Sequence, residues 1–268
     1  ETFLMMADSK DGKNFSVRKE LVHFNGIENI TEKVYHVYDP RITKIDETIY
    51  IMFAMDMDNG CQLGLAKSNV LKEFEFMGIV SDEDNRNGVL FPEKINGKYL
   101  RYDRPNKNTH AGISSGSTIC LSESDDLIHW RKKAEVMSGR LHYWDELIGP
   151  GPPPVKTPEG WLLVYHGIAM HFQSSNIYQA GAALLDMKNP SKVISRSKYN
   201  ILEPREKYEL MGQVPNVVFP SGMIVEEFDS DGMAEIESPV KIYYGAADTC
   251  VGLAGSTIGE LIAMAKNE

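Results

Sequence analysis

The chain has 268 residues, of which 42% are hydrophobic and 25% charged, and its formal net charge is −10. These values are typical of a globular domain with a sizeable core, and the acidic excess argues against a nucleic-acid partner or an anionic membrane surface. No apolar run is long enough to cross a bilayer, and the three cysteines, Cys61, Cys120 and Cys250, lack the spacing of a disulfide framework or a zinc site. We therefore expect no metal and no cofactor.

The N-terminal residues show neither an initiator Met nor the basic start of a signal peptide. A cytoplasmic location is favoured on this basis. A periplasmic location is the alternative, because a trimmed N-terminus is also consistent with this start.

One pattern recurs along the chain: an apolar strand, a polar gap, a second strand, and then Ser or Asp before an aromatic residue. The first copy is partial. The copies lie at residues 3–15, 49–76, 119–130, 161–185 and 240–254. Alternating apolar and polar positions predict strands, and helical periodicity is convincing only at residues 256–266.

Radial repetition of three- or four-stranded units is typical of a β-propeller. We therefore predict an all-β protein, with residues 1–268 forming a single five-bladed β-propeller catalytic domain whose first blade is incomplete. Either residues precede Glu1 or ring closure is unusual. A β-sandwich or jelly roll is the alternative architecture.

The stretch at residues 37–43 is a candidate for the chemistry, because it places Asp39 two positions before Arg41 at the start of a strand. Pro40 fixes its own φ and favours an extended conformation for Asp39, so we expect a rigidly held carboxylate. We interpret Asp39 as the catalytic acid. An ordinary Asp-Pro turn with an Arg partner is the alternative.

Further polar residues lie at the ends of predicted strands. Arg86, Asn87 and Arg104 suit an anionic ligand, although surface ion pairs with Asp84 and Asp103 would also explain the two arginines. The paired acids Asp145 and Glu146 are candidates for a base, with a solvated loop as the alternative. His166 ends a strong apolar strand, where a buried His bonded to the backbone is the default interpretation.

Aromatic residues alternate with hydrogen-bonding groups at three later strand ends, which carry Tyr178, Phe219 and Asp248. Aromatic rings that stack on sugar faces, with polar groups that bind hydroxyls, are typical of a carbohydrate site. No phosphate-binding loop, HExxH or GxSxG motif is present.

Several of these motifs together resemble the mannoside phosphorylase family, glycoside hydrolase family 130, whose members are five-bladed propellers. The resemblance is carried, in family order, by residues 38–41, 85–92, 104–105, 148–154, 165–167, 181–186, 214–220 and 243–248.

The resemblance implies inverting cleavage of β-mannosidic bonds, with Asp39 as the acid that protonates the glycosidic oxygen through the mannosyl 3-hydroxyl. Arg86, Asn87, Arg104 and His166 correspond to phosphate-binding positions. The predicted substrate-binding residues are Tyr38, Arg41, Asp58, Asn59, His110, Tyr178, Phe219 and Asp248. The expected partners are a β-mannoside oligosaccharide and inorganic phosphate, and self-association is left open.

One residue departs from the family pattern: Leu147 stands where phosphorylases commonly have Lys. A hydrolase needs a carboxylate that activates water, and Glu146 beside Leu147 is the candidate, whereas phosphate needs only cations. We predict phosphorolysis to mannose 1-phosphate. An inverting hydrolase and a non-catalytic glycan-binding propeller are the alternatives.

Overall fold

The computed structural model describes residues 2–82, 84–106, 109–110, 113–114, 116–171 and 175–268, and for residues 109–110 and 113–114 only the backbone. The described chain is nearly all strand. A two-stranded hairpin comes first, with β1 (Met5–Asp8) and β2 (Ser16–Leu21). Four larger sheets follow in chain order, antiparallel except for the parallel pair β3-β7, and each is one blade of a propeller.

Blades 1 and 2 occupy the first half of the chain. Blade 1 contains β3 (Phe24–Asn25), β4 (Val34–Ile45), β5 (Thr48–Met57), β6 (Gly60–Ser68) and β7 (Phe74–Ile79), after a 3-10 turn at Ile27–Asn29. Its strand order is β3-β7-β6-β5-β4. Blade 2 contains β8 (Asn85–Leu90), β9 (Tyr99–Pro105), β12 (Thr118–Ser124) and β13 (Trp130–Ser138), with a small hairpin of β10 (Thr109–His110) and β11 (Ile113–Ser114) inserted after β9.

Blades 3 and 4 complete the ring. Blade 3 contains β14 (Leu147–Pro150), β15 (Val155–Thr157), β16 (Gly160–Ala169), β17 (Ile177–Leu185) and β18 (Val193–Arg196). Blade 4 contains β19 (Val218–Val225), β20 (Pro239–Ala246) and β21 (Cys250–Thr257). Two helices are present among the described residues, α1 (Lys207–Leu210) and α2 (Ile258–Lys266).

The propeller prediction is confirmed, but the described residues form four blades and not five. The unit predicted as an incomplete first blade forms only the β1-β2 hairpin. This hairpin lies between blades 4 and 1, because Tyr243 of β20 donates a hydrogen bond to the carbonyl of Gly12 while Leu4, Met6 and Val22 pack against the core of blade 1.

The main cores lie between adjacent blades. Phe91 of blade 2 meets Trp161 of blade 3 with ring centroids 5.0 Å apart, and neither side chain is exposed. The predicted C-terminal helix is confirmed as α2, which Thr257 caps by accepting a hydrogen bond from the Glu260 amide. Its apolar residues close the core between blades 3 and 4. No helix in the described ranges is both long and apolar enough to span a membrane.

The innermost strands of the four blades, which are β4, β8, β14 and β19, face the centre of the ring, and three of them carry a β-bulge. The pairing register shifts between Tyr38 and Arg41 in β4, and between Arg86 and Val89 in β8. A third shift lies in β19. Because a bulge inserts an extra residue and turns its side chain away from the regular direction, these strands can aim polar groups towards the axis.

Candidate active site

A cavity of about 260 Å³ opens near the axis, lined by residues of the inner strands β4, β8 and β19 and of their neighbours. Eight residues that the sequence predicted as site residues line it: Tyr38, Asp39, Arg86, Asn87, Arg104, Tyr178, Phe219 and Asp248. Val214 and Val217 also line the cavity and were not predicted individually, although both lie in or beside the 214–220 motif. The fold therefore brings together residues more than two hundred positions apart.

Asp39 lies on the bulge of β4 with a φ of 53°, in the left-handed region. The prediction of an extended conformation was therefore wrong. Pro40 disfavours the right-handed helical region for the preceding residue, but the bulge decides between the remaining regions. Asn87, on the facing bulge of β8, has a φ of 56° and donates a hydrogen bond from Nδ2 to Asp39 Oδ2 at 3.4 Å. Two strained backbone positions thus hold the predicted acid and its neighbour face to face.

Arg41 is 1% exposed and lies beneath the cavity, not among the described residues that line it. Its Nη1 donates to the carbonyl of Asp39 at 3.2 Å, and its Nε donates to the carbonyl of Gly151 at 3.0 Å. Burial lowers the pKa of Arg41, and the nearby Asp39 opposes that shift. Arg41 therefore joins the bulge of β4 to the segment after β14, which makes it a positioning residue in place of the predicted substrate ligand.

Arg86 lies on the wall of the cavity and is only weakly paired. Its Nη2 is 3.7 Å from Asp56 Oδ1, an atom that also accepts a hydrogen bond from the Tyr38 hydroxyl at 2.7 Å. The proposed alternative pairing with Asp84 does not occur, because Asp84 Oδ1 accepts from the Cys61 amide and from Asn106.

Arg104 is 5% exposed, and burial together with the charge of Arg86 lowers its pKa to about 10. Its Nη1 donates to Nε2 of His166 at 3.4 Å. It does not pair with Asp103, whose carboxylate accepts hydrogen bonds from Arg101 and Ser122. The surface ion pairs considered from the sequence are therefore ruled out for both arginines.

His166 is completely buried behind the cavity wall, with its ring centroid 4.6 Å from that of Phe219. Burial, reinforced by the charges of Arg104 and Arg41, holds its pKa well below the usual value. The imidazole is therefore neutral and accepts the hydrogen bond from Arg104. A side chain at Gly149 would lie 2.4 Å from this ring, so glycine lets β14 approach it closely.

Five buried polar atoms in and behind the cavity wall have no hydrogen-bond partner among the described residues. They are Arg41 Nη2, Arg86 Nε, Asn87 Oδ1, Arg104 Nε and His166 Nδ1. Buried polar groups are nearly always paired, so a cluster of unpaired guanidinium nitrogens marks a site prepared for an anionic or hydroxyl-rich ligand.

Asp248 lines the same cavity just after the end of β20, with a φ of 48°. Partial burial and the neighbouring charge of Asp39 raise its pKa. Tyr178 also lines the cavity, and its ring centroid is 6.4 Å from that of the buried His166 ring. Two carboxyl groups therefore share one cavity with two arginines and three aromatic rings.

Other predicted residues lie elsewhere. Glu146 is half-buried one residue before β14, and Asp58 and Asn59 are exposed in the turn between β5 and β6; none is among the described residues that line the cavity. Asp58 accepts a hydrogen bond from Tyr35 at 2.6 Å. The side chain of His110 lies outside the described residues. The idea that Asp145 acts as a base is wrong, because Arg140, Arg196 and Tyr165 all bind its fully buried carboxylate.

A propeller whose axial cavity combines carboxyl groups, arginines and aromatic rings is the arrangement of a carbohydrate-active enzyme. Comparison with known proteins agrees. A family model described as beta-1,4-mannooligosaccharide phosphorylase, that of glycoside hydrolase family 130, matches residues 1–267. The chain belongs to this family, as the sequence resemblance predicted.

Two relatives and one solved structure show how close the similarity is. A 1,2-beta-oligomannan phosphorylase of Thermoanaerobacter sp. (strain X514) is 37% identical over 92% of this chain and 76% of its own length. A beta-1,4-mannooligosaccharide phosphorylase of Ruminococcus albus is 35% identical over 97% of this chain and 75% of its own. The structure of beta-1,2-mannobiose phosphorylase from Listeria innocua superposes with a TM-score of 0.85 at 32% identity, covering 99% of this chain and 70% of that one.

Proposed function

We propose that this protein cleaves β-mannosidic linkages of manno-oligosaccharides by phosphorolysis, with inversion at the anomeric carbon and release of mannose 1-phosphate. The observation that carries the proposal is the facing pair of groups in the axial cavity: Asp39 on one bulge, and unpaired guanidinium nitrogens of Arg86 and Arg104 beside it. The names of the relatives, which are phosphorylases of β-1,2- and β-1,4-linked mannosides, support the same reaction.

Asp39 supplies the proton for the departing sugar. The glycosidic oxygen takes a proton as its bond to C1 breaks, and the family resemblance implies that this proton passes from Asp39 through the 3-hydroxyl of the mannosyl unit. The left-handed backbone of Asp39, held by Arg41, fixes the carboxyl group relative to the arginines. Accurate positioning of this kind contributes strongly to rate because the reacting groups need no further ordering.

Arg86 and Arg104 hold phosphate for in-line attack on C1, and Asn87 adds an amide group on the same wall. Guanidinium groups bind phosphate oxygens in pairs, and in a buried site they also stabilise negative charge as it shifts to the transition state. Neutral His166 accepts from Arg104 and so leaves the rest of that guanidinium for the ligand. The attacking phosphate is already anionic, so this reaction needs no carboxylate base.

Hydrolysis is the second candidate, because Leu147 stands where a phosphate-binding Lys is common and Asp248 adds a carboxyl group to the cavity. The deciding experiment is to incubate the protein with β-1,2- and β-1,4-mannobiose, with and without inorganic phosphate, and to identify products by NMR. We expect mannose 1-phosphate, and only when phosphate is present. Free mannose formed equally without phosphate would establish the hydrolase instead.

The variant Arg104→Lys tests the phosphate site directly. Lysine keeps the charge but loses the paired donors, so we expect kcat/KM for phosphate to fall roughly 10²-fold, the scale of one lost donor in an anion-stabilising site. Arg205→Lys is the matched control, because Arg205 is exposed and pairs only with Glu203 among the described residues. Equal phosphate kinetics in the two variants would contradict the assignment of Arg104.

A further inference from the structure

The residues that line the axial cavity come from two parts of the chain. Blades 1 and 2 supply the proposed acid and the arginines. Blades 3 and 4, with the segment that leads into β19, supply the other half of the lining, here called the sugar wall: Tyr178, Val214, Val217, Phe219 and Asp248. Two aromatic rings, two apolar side chains and one carboxyl group suit a sugar ring, whose CH groups stack while its hydroxyls donate.

Main-chain hydrogen bonds join the members of the sugar wall to one another. The Tyr178 amide donates to the carbonyl of Asn216 at 2.9 Å. The Ala247 amide, one residue before Asp248, donates to the carbonyl of Val217 at 3.2 Å. The segment before β19 therefore sets the positions of both Tyr178 and Asp248.

Glu209, in α1, supports this segment from outside the cavity. The residue is 3% exposed and is not among the described residues that line the cavity. Its main-chain carbonyl accepts a hydrogen bond from the Val217 amide at 3.1 Å. Its side-chain Oε1 accepts from the hydroxyl of Tyr244, in β20, at 2.7 Å. Its Oε2 accepts from the amides of Arg205 and Glu206 at 2.7 and 2.8 Å. One buried residue therefore joins α1 and blade 4 to the sugar wall.

The partners of Glu209 keep its carboxylate charged although it is buried. Burial alone would raise the pKa of this carboxyl group, but the amides of Arg205 and Glu206 and the Tyr244 hydroxyl lower it below the usual value. Hydrogen bonds to an ionised acceptor are stronger than those to a neutral one. Removing the side chain would also leave its three donors without this partner, so the contact holds the segment firmly.

We propose that Glu209 is a positioning residue of the active site, which holds the sugar wall at the distance from the proposed acid that a mannosyl unit requires and does not touch the substrate. The choice of a mannosyl unit rests on the proposed function. The phosphate side is supported separately, because Arg86 forms its ion pair with Asp56 and Arg104 donates to His166.

The test compares the two substrates of the proposed reaction in steady-state kinetics. In Glu209→Ala, KM for the β-mannobiose that the wild type cleaves should rise roughly tenfold, while kcat and KM for phosphate stay within about twofold. Glu209→Gln keeps an acceptor for the two amides, so its KM for mannobiose should rise only roughly threefold. A merely structural role would lower the amount of active protein and leave the ratio of the two KM values unchanged.

Glu260→Ala is the matched control. Glu260 caps α2 as Glu209 caps α1, by accepting a hydrogen bond from the main-chain amide of the N-cap residue, here Thr257. Glu260 is exposed and is not among the described residues that line the cavity, so both KM values should equal those of the wild type. Should Glu209→Ala fail to fold by circular dichroism, Tyr244→Phe replaces it. This variant removes only the hydrogen bond to Oε1, and KM for mannobiose should rise roughly threefold.

The outcomes separate the role of Glu209 from the proposed reaction. A wild-type KM for mannobiose in the Glu209 and Tyr244 variants, or an equal rise in both KM values, would overturn the positioning role and leave phosphorolysis standing. Cleavage of mannobiose without phosphate would overturn phosphorolysis, and KM for mannobiose would still test Glu209. No cleavage of either β-1,2- or β-1,4-mannobiose by the wild type would overturn both.

Discussion

Two clusters in this protein contain the same kinds of residue in opposite states. In blade 3, Asp145 accepts hydrogen bonds from Arg140, Arg196 and Tyr165, and none of its surface is exposed. In the axial cavity, Asp39 receives only a 3.4 Å hydrogen bond from Asn87 among the described residues, and nitrogens of the neighbouring arginines are unpaired.

The difference separates a structural cluster from a binding site. Asp145 has its partners in the folded chain, so it stabilises the loop that leads into β14 and has little capacity left for a ligand. The axial cluster lacks such partners, and its arginines line an open cavity. Residue type is the same in both places, and the degree of hydrogen-bond satisfaction is what distinguishes them.

The largest expected effect is on catalysis. Asp39→Asn should lower the rate of mannobiose cleavage by roughly 10²- to 10⁴-fold, because the amide cannot donate a proton as an acid does. Asparagine tolerates the left-handed backbone of position 39 well, so the melting temperature should stay close to that of the wild type. Asp46→Asn, the same change at an exposed position of blade 1 whose φ of 52° matches that of Asp39, is the control and should keep full activity. Full activity in Asp39→Asn would remove Asp39 from the mechanism.

The next largest effect is on stability and concerns the cluster around Asp145, whose hydrogen bonds are formed within the chain. Asp145→Asn leaves the Arg196 side chain, which is 13% exposed, without its carboxylate partner. The free energy of unfolding, measured by urea denaturation, should fall by about 3 kcal/mol, the low end for a broken buried ion pair because Arg140 can still reach solvent. Glu47→Gln is the control: it changes a fully solvated carboxylate, so the free energy of unfolding should stay the same. A stable Asp145→Asn protein without activity would show that Asp145 belongs to the catalytic cluster after all.

The smallest effect is a pH dependence that comes from His166. Its pKa in the folded protein lies well below the value near 6.5 of the unfolded chain, so below pH 6.5 the unfolded chain binds a proton that the folded protein does not. The free energy of unfolding should therefore fall as the pH drops below 6.5, by up to about 1.4 kcal/mol per pH unit from this group. His166→Gln should flatten this slope, although it lowers stability at pH 7.5.

His129 provides a control of opposite sign. A hydrogen bond from its ring to Asp126 raises its pKa, so it stabilises the folded protein at low pH and loses that contribution as the pH rises through its folded pKa. In His129→Gln, the free energy of unfolding should therefore fall at low pH by as much as in the wild type or by more. If the free energy of unfolding of His166→Gln depended on pH as steeply as that of the wild type, His166 would not be the buried neutral group that supports Arg104.

Much of the site could be predicted from the sequence because the motifs stand at strand ends, and strand ends of a propeller converge at its axis. Arg86, Arg104 and Phe219 were located in this way, and the structure places all three in one cavity with Asp39, which lies within β4 at the bulge and not at the predicted strand start. Gly149 was part of a quoted motif, but its close approach to His166 was not predictable, since the contact joins two strands.

The errors share a cause. Arg41 was predicted as a substrate ligand, and Asp145 as a base, because local sequence shows the type of a side chain and not its partners. Arg41 binds the carbonyl of Gly151, 110 positions away, and Asp145 binds Arg196, 51 positions away. The predicted extended backbone of Asp39 failed for a similar reason, since the bulge depends on pairing with β5.

By itself, the sequence determined the all-β repeat, the family and the set of residue types that the reaction requires, because these depend on local periodicity and on motifs a few residues long. Only the tertiary structure decided the number of blades, the left-handed geometry of Asp39, and which of the two Asp-Arg clusters is satisfied. The physical reason is that burial and hydrogen-bond partners are set by contacts between blades, and those contacts join residues that are distant in the chain.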